Sequence, residues 1–349
     1  RNDIPDQHVP YAGNDSCLWT FISWSIHSML LTTTVGSFPK PDYLVKARNE
    51  FASGKLSQGE LTHLEKKATE ECIRLQEGIG LDILVHGEME RGDMVTFFAE
   101  KMKGFGISGL VRSYGNRYYP KPVVKGSLKR ERPITVDMFK YAQSLTEKPV
   151  KGIVTGPYTM CDWSFNEYYP DRGELVMALA KEIHQEVVDL ERAGAKYIQI
   201  DEPAISTRPD EIGLAIDAMK VVTEGIRAKT ISHICYGDFA VMYPRILDLA
   251  VDQLDLEFAN SDFANLEIFR HPEFTKEIAV GVLDVHSHIV EKKDEVKANI
   301  RKALGVFPVE NVYIDPDCGL KTRTPDEAEA KLRVMVETVK EVRQELGVE

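Results

Sequence analysis

The chain has 349 residues and a net charge of -12, with a pI near 5.4. That acidic balance excludes a generic nucleic-acid binder and a protein drawn to anionic membrane surfaces, because either partner would repel it at long range. Five cysteines without framework spacing point to a reduced, cytoplasmic protein rather than a disulfide scaffold. No low-complexity linker divides the length, so one domain with additions is expected.

Residues 1–28 carry the apolar run CLWTFISW, which lacks a basic leader and is too short to span a bilayer. They are read as an N-terminal extension outside the fold, with Met29 as a natural start, or as an amphipathic helix packed on it. Trp19, Trp24 and Cys17 receive no role. From Met29 the chain shows eight short strand patterns, most of them separated by helical periodicity. LTTTVGSF ends at Ser37, and the helix LTHLEKKATEECIRLQEGIG leads to LDILVHGE, ending at Glu88. From Gly104 to Glu147 the glycines, tyrosines and β-rich VVKGSL predict a hairpin-like excursion before the short helix VDMFKYAQSL. VKGIVTGP ends near Thr155, the helix ELVMALAKEIHQEVVDLERAG follows, and YIQIDEP carries Asp201. ISHICYGD then brings His233 and Cys235, LDLEFAN brings Glu257, IAVGVLDVHS brings Asp284 and His286, and VYIDPDCG brings Asp315 and Cys318. The long helix EAEAKLRVMVETVKEVRQEL closes the chain. Continuous apolar strands alternating with helices belong in a parallel sheet covered on both faces, and eight of them predict one (β/α)8 TIM barrel over residues 29–349. Barrel enzymes keep their catalytic groups at the C-terminal strand ends, where these polar residues fall. Cys72, His63 and His184 lie within helices and are read as packing or solvent-facing positions.

In a strand, residues two apart point to the same side, so His233 and Cys235 project an imidazole and a thiol into one space. Glu257 at the end of the next strand and Cys318 at the end of the last, brought to one mouth by barrel closure, complete a two-thiolate, one-imidazole, one-carboxylate set suited to Zn2+ and poorly suited to Mg2+ or Ca2+. A zinc this rich in sulfur favours alkylation of a substrate thiol held as thiolate over hydrolysis, for which histidine and carboxylate ligands are the more common choice. Asp284 and His286 form a second same-side pair. His286 is a candidate general acid, oriented by Asp284 or a neighbouring carboxylate, or a structural histidine.

The ordered motifs TTTVGSFP, LDILVHGEMERGDMV, ITVDMFKYAQSLT, PVKGIVTGP, DWSF, IQIDEPA, SHICY, LDLE, GVLDVHS and DPDCGLKTR cover almost all of Leu31 to Gly347. In these the chain resembles the catalytic C-terminal barrel of cobalamin-independent methionine synthases. The resemblance implies that His233, Cys235, Glu257 and Cys318 are zinc ligands and that L-homocysteine is the methyl acceptor. It also places its amino-acid end on the Val35 backbone, Ser37, Glu88 and Asp201. Two carboxylates suit an α-ammonium, and a hydroxyl with backbone amides suits an α-carboxylate.

The chain departs from the two-barrel members of the family in lacking their N-terminal half, in a shorter IDEPA to SHICY segment, and in Asp162 where Cys is common before Trp163. These departures make it most like the short, core methionine synthases and predict methylcobalamin, or a docked methylated corrinoid protein, as donor. The alternatives are 5-methyltetrahydrofolate stacked on Trp163, or a related zinc alkyltransferase acting on another thiol.

Overall fold

The computed structural model describes residues 29–112, 118–264 and 266–348. The predicted extension over residues 1–28 lies outside the described residues. Six strands form one parallel sheet in the order β3(Lys151–Thr155), β5(Tyr197–Asp201), β6(Lys229–Ile234), β7(Gln253–Leu256), β8(Glu277–Leu283) and β9(Val312–Pro316). The first two predicted strands do not form ladders. Thr32 makes a parallel bridge to Ile314 of β9, Ser37 bridges Gly87, and Leu84 bridges Val150 just before β3. The threonine-rich first segment gives part of its bonding capacity to a distant side chain, since the backbone N–H and hydroxyl of Thr32 both donate to the Asp82 carboxylate at 2.8 Å. Side-chain bonds of this kind compete with a ladder.

The helices start and stop where capping chemistry dictates. After α1(Asp42–Ala52), α2(Gln58–Ile79) begins on a Ser57/Glu60 capping box and ends at Gly80 with φ 96. The short α3(Thr96–Ala99) precedes an antiparallel hairpin of β1(Met102–Arg112) and β2(Tyr118–Arg130), to which the two-residue β4(Phe165–Asn166) adds. This hairpin is the excursion expected between Gly104 and Glu147, and α4(Val136–Gln143) follows it as predicted. α5(Pro157–Asp162) leaves β3, and α6(Arg172–Arg192) starts where Asp171 accepts the Glu174 backbone N–H. α7(Ile212–Val222), α8(Lys293–Leu304) and α9(Pro325–Leu346) complete the outer layer. The alternation lapses after β6 and β7, where short 3-10 turns replace α-helices.

The sheet has an apolar face and a mixed one. Ile198, Ile200, Leu254 and Leu256 are buried in the main core with the helices, and Leu190 of α6 packs where a Cβ on Gly152 would fall. The opposite face carries Lys151, Gln199, Asp201, His233, Asp255 and Asp315, all buried. Cys72 is buried, as expected for a packing residue, and His184 sets its Nδ1 3.1 Å from the Val222 carbonyl. Among the described residues, no helix is long and apolar enough to cross a membrane.

Candidate active site and metal centre

His233 of β6, Cys235 just beyond it and Cys318 beyond β9 bring one imidazole nitrogen and two sulfurs within 4.8 Å of one another. The two sulfurs stand 3.8 Å apart, far beyond a disulfide. Two thiolates bound at about 2.3 Å to a tetrahedral zinc are separated by roughly the same distance. His233 is 3 % exposed, and its Nε2 has no hydrogen-bond partner. A buried ring nitrogen left bare in this way suits a metal ligand. Its other nitrogen, Nδ1, lies 2.9 Å from Asp255 Oδ1. A metal-binding histidine characteristically meets such a carboxylate on its second nitrogen. Burial works against a proton on His233, but the Asp255 carboxylate and the Cys318 sulfur outweigh it and raise its pKa well above normal. Cys318 is held well below the usual thiol range, chiefly by its contact with Cys235 and also by His233.

Glu257, the fourth expected ligand, stands outside this group of three. Its carboxylate accepts the Tyr236 backbone N–H, while Oε2 is buried and unpartnered. Desolvation pushes its pKa up to about 7. Three of the four predicted ligands therefore converge directly, and the carboxylate waits beside them with one free oxygen.

The residues expected to hold an amino acid also gather at the strand ends. Ser37 bridges Gly87, and Leu320 donates its N–H to the Ser37 carbonyl at 2.7 Å. A side chain on Gly319 would run into the Ser37 hydroxyl, so the close approach of the two loops requires glycine there. Glu88 has φ 56, a left-handed conformation that costs a non-glycine residue energy and clusters at functional sites. The buried Arg91 lies 3.4 Å from Glu88 Oε1 and donates to the Ile153 carbonyl at 2.7 Å. Asp201 pairs in register with His233 across the β5–β6 ladder and accepts from Gln199 Nε2 at 2.7 Å. Burial pushes the Asp201 carboxyl up to about 7, an environment in which an incoming ammonium would be a welcome partner.

His286 is placed differently from the expectation that Asp284 orients its ring. Asp284 Oδ1 instead accepts the His286 backbone N–H at 2.8 Å. The short turn between the two residues brings the carboxylate back onto the main chain, where it cannot reach the ring. The ring nitrogen Nδ1 meets the Tyr236 hydroxyl at 3.1 Å, and Nε2 is buried without a partner. Trp163 caps α5, half-buried against the main core. Beside it Asp162 pairs with Arg172 at 3.0 Å and Arg208 at 2.7 Å.

Sequence reasoning passed over Asp255, Gln199, Lys151, Arg91 and Tyr236. Asp255 had a signal, because it precedes Glu257 by two in LDLE and so shares its side of the strand. Tyr236 had none.

A parallel α/β sheet that delivers two thiols, an imidazole and several carboxylates to one end of its strands has the anatomy of an α/β enzyme with a sulfur-rich centre. Residues 30–341 match the family model described as the cobalamin-independent synthase catalytic domain. A methionine synthase from Saccharolobus solfataricus is 41% identical over 319 residues, covering 91% of this chain and 96% of that protein. One from Sulfolobus acidocaldarius is 38% identical over 320 residues, covering 91% and 94%. The solved structure of a B12-independent methionine synthase from Shewanella sp. W3-18-1, in complex with selenomethionine, matches with a TM-score of 0.84 and 28% identity over 91% of this chain and 99% of that one. The chain belongs to the cobalamin-independent methionine synthase family and is a methyltransferase.

Membership overturns the expected donor. The family is cobalamin-independent, so methylcobalamin and a docked corrinoid protein are withdrawn. The expectation rested on the absent N-terminal half, the shorter IDEPA to SHICY segment and Asp162 before Trp163, and the family model and the B12-independent structure count against it.

Proposed function

We propose that this protein methylates the thiol of L-homocysteine to give L-methionine, with 5-methyltetrahydrofolate as donor and Zn2+ as cofactor. The observation that carries the reading is the convergence of His233, Cys235 and Cys318, with the bare, buried Nε2 of His233 among them. These three residues would hold the zinc, with Glu257 as the fourth ligand. A zinc ion bound by thiolates supplies a substrate thiol already deprotonated at neutral pH.

The remaining work falls to the protein. Glu88 and Asp201 hold the α-ammonium of homocysteine, while the Ser37 hydroxyl and the backbone at Val35 hold its α-carboxylate. This orients the sulfur toward the centre and toward the donor, and orientation supplies much of the rate of a two-substrate displacement. The folate N5 must be protonated to leave, and His286 offers that proton from Nε2 while Tyr236 fixes its other nitrogen. Trp163 provides an aromatic surface for the donor's flat ring.

The same reading takes residues 29–349 as one catalytic (β/α)8 domain. Its support is the row of single parallel bridges that carries Thr32, Ser37, Gly87 and Leu84 from β9 round to the start of β3. The four cysteines among the described residues are free thiols, which suits a cytoplasmic setting. The test is methionine formation by zinc-loaded protein from homocysteine, with 5-methyltetrahydrofolate and methylcobalamin in separate reactions. Product with the folate is expected, and no product from the folate refutes the reading.

A further inference from the structure

The face of the sheet beneath the candidate pocket holds a lysine that the chemistry above does not use. Lys151 is 1 % exposed, and its Nζ donates to Gln199 Oε1 at 2.5 Å. The amide of Gln199, itself fully buried, donates from Nε2 to the Val35 carbonyl at 2.8 Å and to Asp201 Oδ1 at 2.7 Å. One side chain thus ties the segment around Val35, which makes only isolated bridges to the sheet, to the carboxylate that ends β5.

We propose that Lys151 is a positioning residue for the amino-acid pocket, acting through Gln199 to fix where Asp201 and the Val35 backbone stand. The logic is one of donors and acceptors. A lysine ammonium has three donors and no acceptor, so the carbonyl oxygen of Gln199 must face it. The NH2 group then faces the two acceptors, Val35 O and Asp201, and all three bonds are satisfied together. Without the lysine, the buried Gln199 Oε1 loses its donor and the amide is held from one side only, by Val35 O and Asp201. A partly satisfied buried network of this kind loses its uniqueness. Lys151 hydrogen-bonds Gln199 rather than Asp201 or His233, and its charge also faces Asp255, Asp315 and Asp201 across the same side of the sheet.

The inference rests on the assignment of Asp201 and Val35 to homocysteine, and the experiment separates the two ideas. Homocysteine binding is measured by calorimetry on the zinc-loaded wild type, Gln199→Glu and Lys151→Met, beside zinc content, circular dichroism and steady-state kinetics. Gln199→Glu is the sharper probe, because it keeps a partner for Lys151 and yet presents acceptors alone to Val35 and Asp201. Loss of a hydrogen bond to a charged group predicts about a ten- to hundred-fold weaker affinity and a matching rise in KM. The kcat at saturating homocysteine should stay within about threefold, and zinc content should be unchanged, as expected when binding rather than chemistry is touched. Wild-type protein that binds no homocysteine refutes the pocket assignment. Wild-type binding matched by both variants refutes the role of Lys151. Loss of zinc and fold in both variants also refutes it, since the pair would then hold the sheet rather than the pocket.

Discussion

Asp255→Asn tests the metal centre without removing a ligand. Asp255 is 1 % exposed and sits 2.9 Å from His233 Nδ1, and the ladder pairs the two residues directly. The carboxylate accepts, so it keeps the proton on Nδ1 and leaves the lone pair on Nε2, the nitrogen without a partner. Asparagine is nearly the same size, and the backbone register gives no reason for the strand to move. It offers His233 either a neutral carbonyl, which weakens the ring as a ligand, or an NH2, which favours the wrong tautomer. Carboxylates in this position typically contribute 10- to 100-fold in metal affinity, equivalent to about 1.4–2.7 kcal/mol. Zinc affinity measured by competition with a chromophoric chelator should fall by about that factor, while the melting temperature of the metal-free protein changes little. An affinity within about twofold of wild type would sink the argument that Asp255 orients His233 as a ligand.

Removal of zinc by a chelator should abolish methionine formation with far-UV circular dichroism retained, whereas unfolding on chelation would make the metal structural. Glu65, beside Arg48 at 3.3 Å, is pushed up to about 7 by desolvation. Since its unfolded value is about 4.3, the stability tied to its protonated form is complete below that value and lost as pH rises through about 7. Glu65→Gln, which stays neutral, should therefore raise the melting temperature at about pH 8 and leave it unchanged at about pH 4; an equal shift at both would contradict the titration. A side chain at Gly156 would collide with the Glu202 carboxylate, which accepts from Tyr158 N at 3.0 Å and from Thr159 N and Oγ1 at 2.7 Å. Gly156→Ala should cost about 2–4 kcal/mol in urea unfolding, and a change under about 0.5 kcal/mol would show that Glu202 can move at little cost.

The residues legible in the sequence are those whose partners lie close in the chain or whose chemistry is unusual. His233 and Cys235 share a strand side and carry ligand atoms, so spacing alone joined them, and Cys318 followed from its place at the end of β9. The apolar runs of β3 and β5 to β9 declared themselves because both faces are buried. LTTTVGSF read as a strand by composition but makes only single bridges, because whether a threonine hydroxyl finds Asp82 fifty residues away is a tertiary fact. The orientation of His286 failed for a local reason: a carboxylate two residues before it has its backbone N–H within easier reach than its ring.

Lys151 and Gln199 show a deeper limit. In sequence, a lysine at the start of an apolar strand reads as a solvated end, and a glutamine in YIQID reads as an interruption. Only the ladder, which sets Lys151 against Tyr197 and Gln199 against Ile153 and Ile231, reveals that both point into the face shared with Asp201, His233 and Asp255. That face holds charge at low exposure, where a group without a partner is costly, and most of these side chains find one on the same face. Asp255 serves His233 from β7, Gln199 serves Asp201 and Val35 from β5, and Lys151 serves Gln199 from β3. His233 and Asp201, which would meet zinc and homocysteine, are thus held by an inner set on the same face, and sequence displays the outer set because only it carries recognisable chemistry. Substitutions in the inner set should therefore change affinity for metal or amino acid while the reacting groups stay in place, a pattern that separates positioning from chemistry.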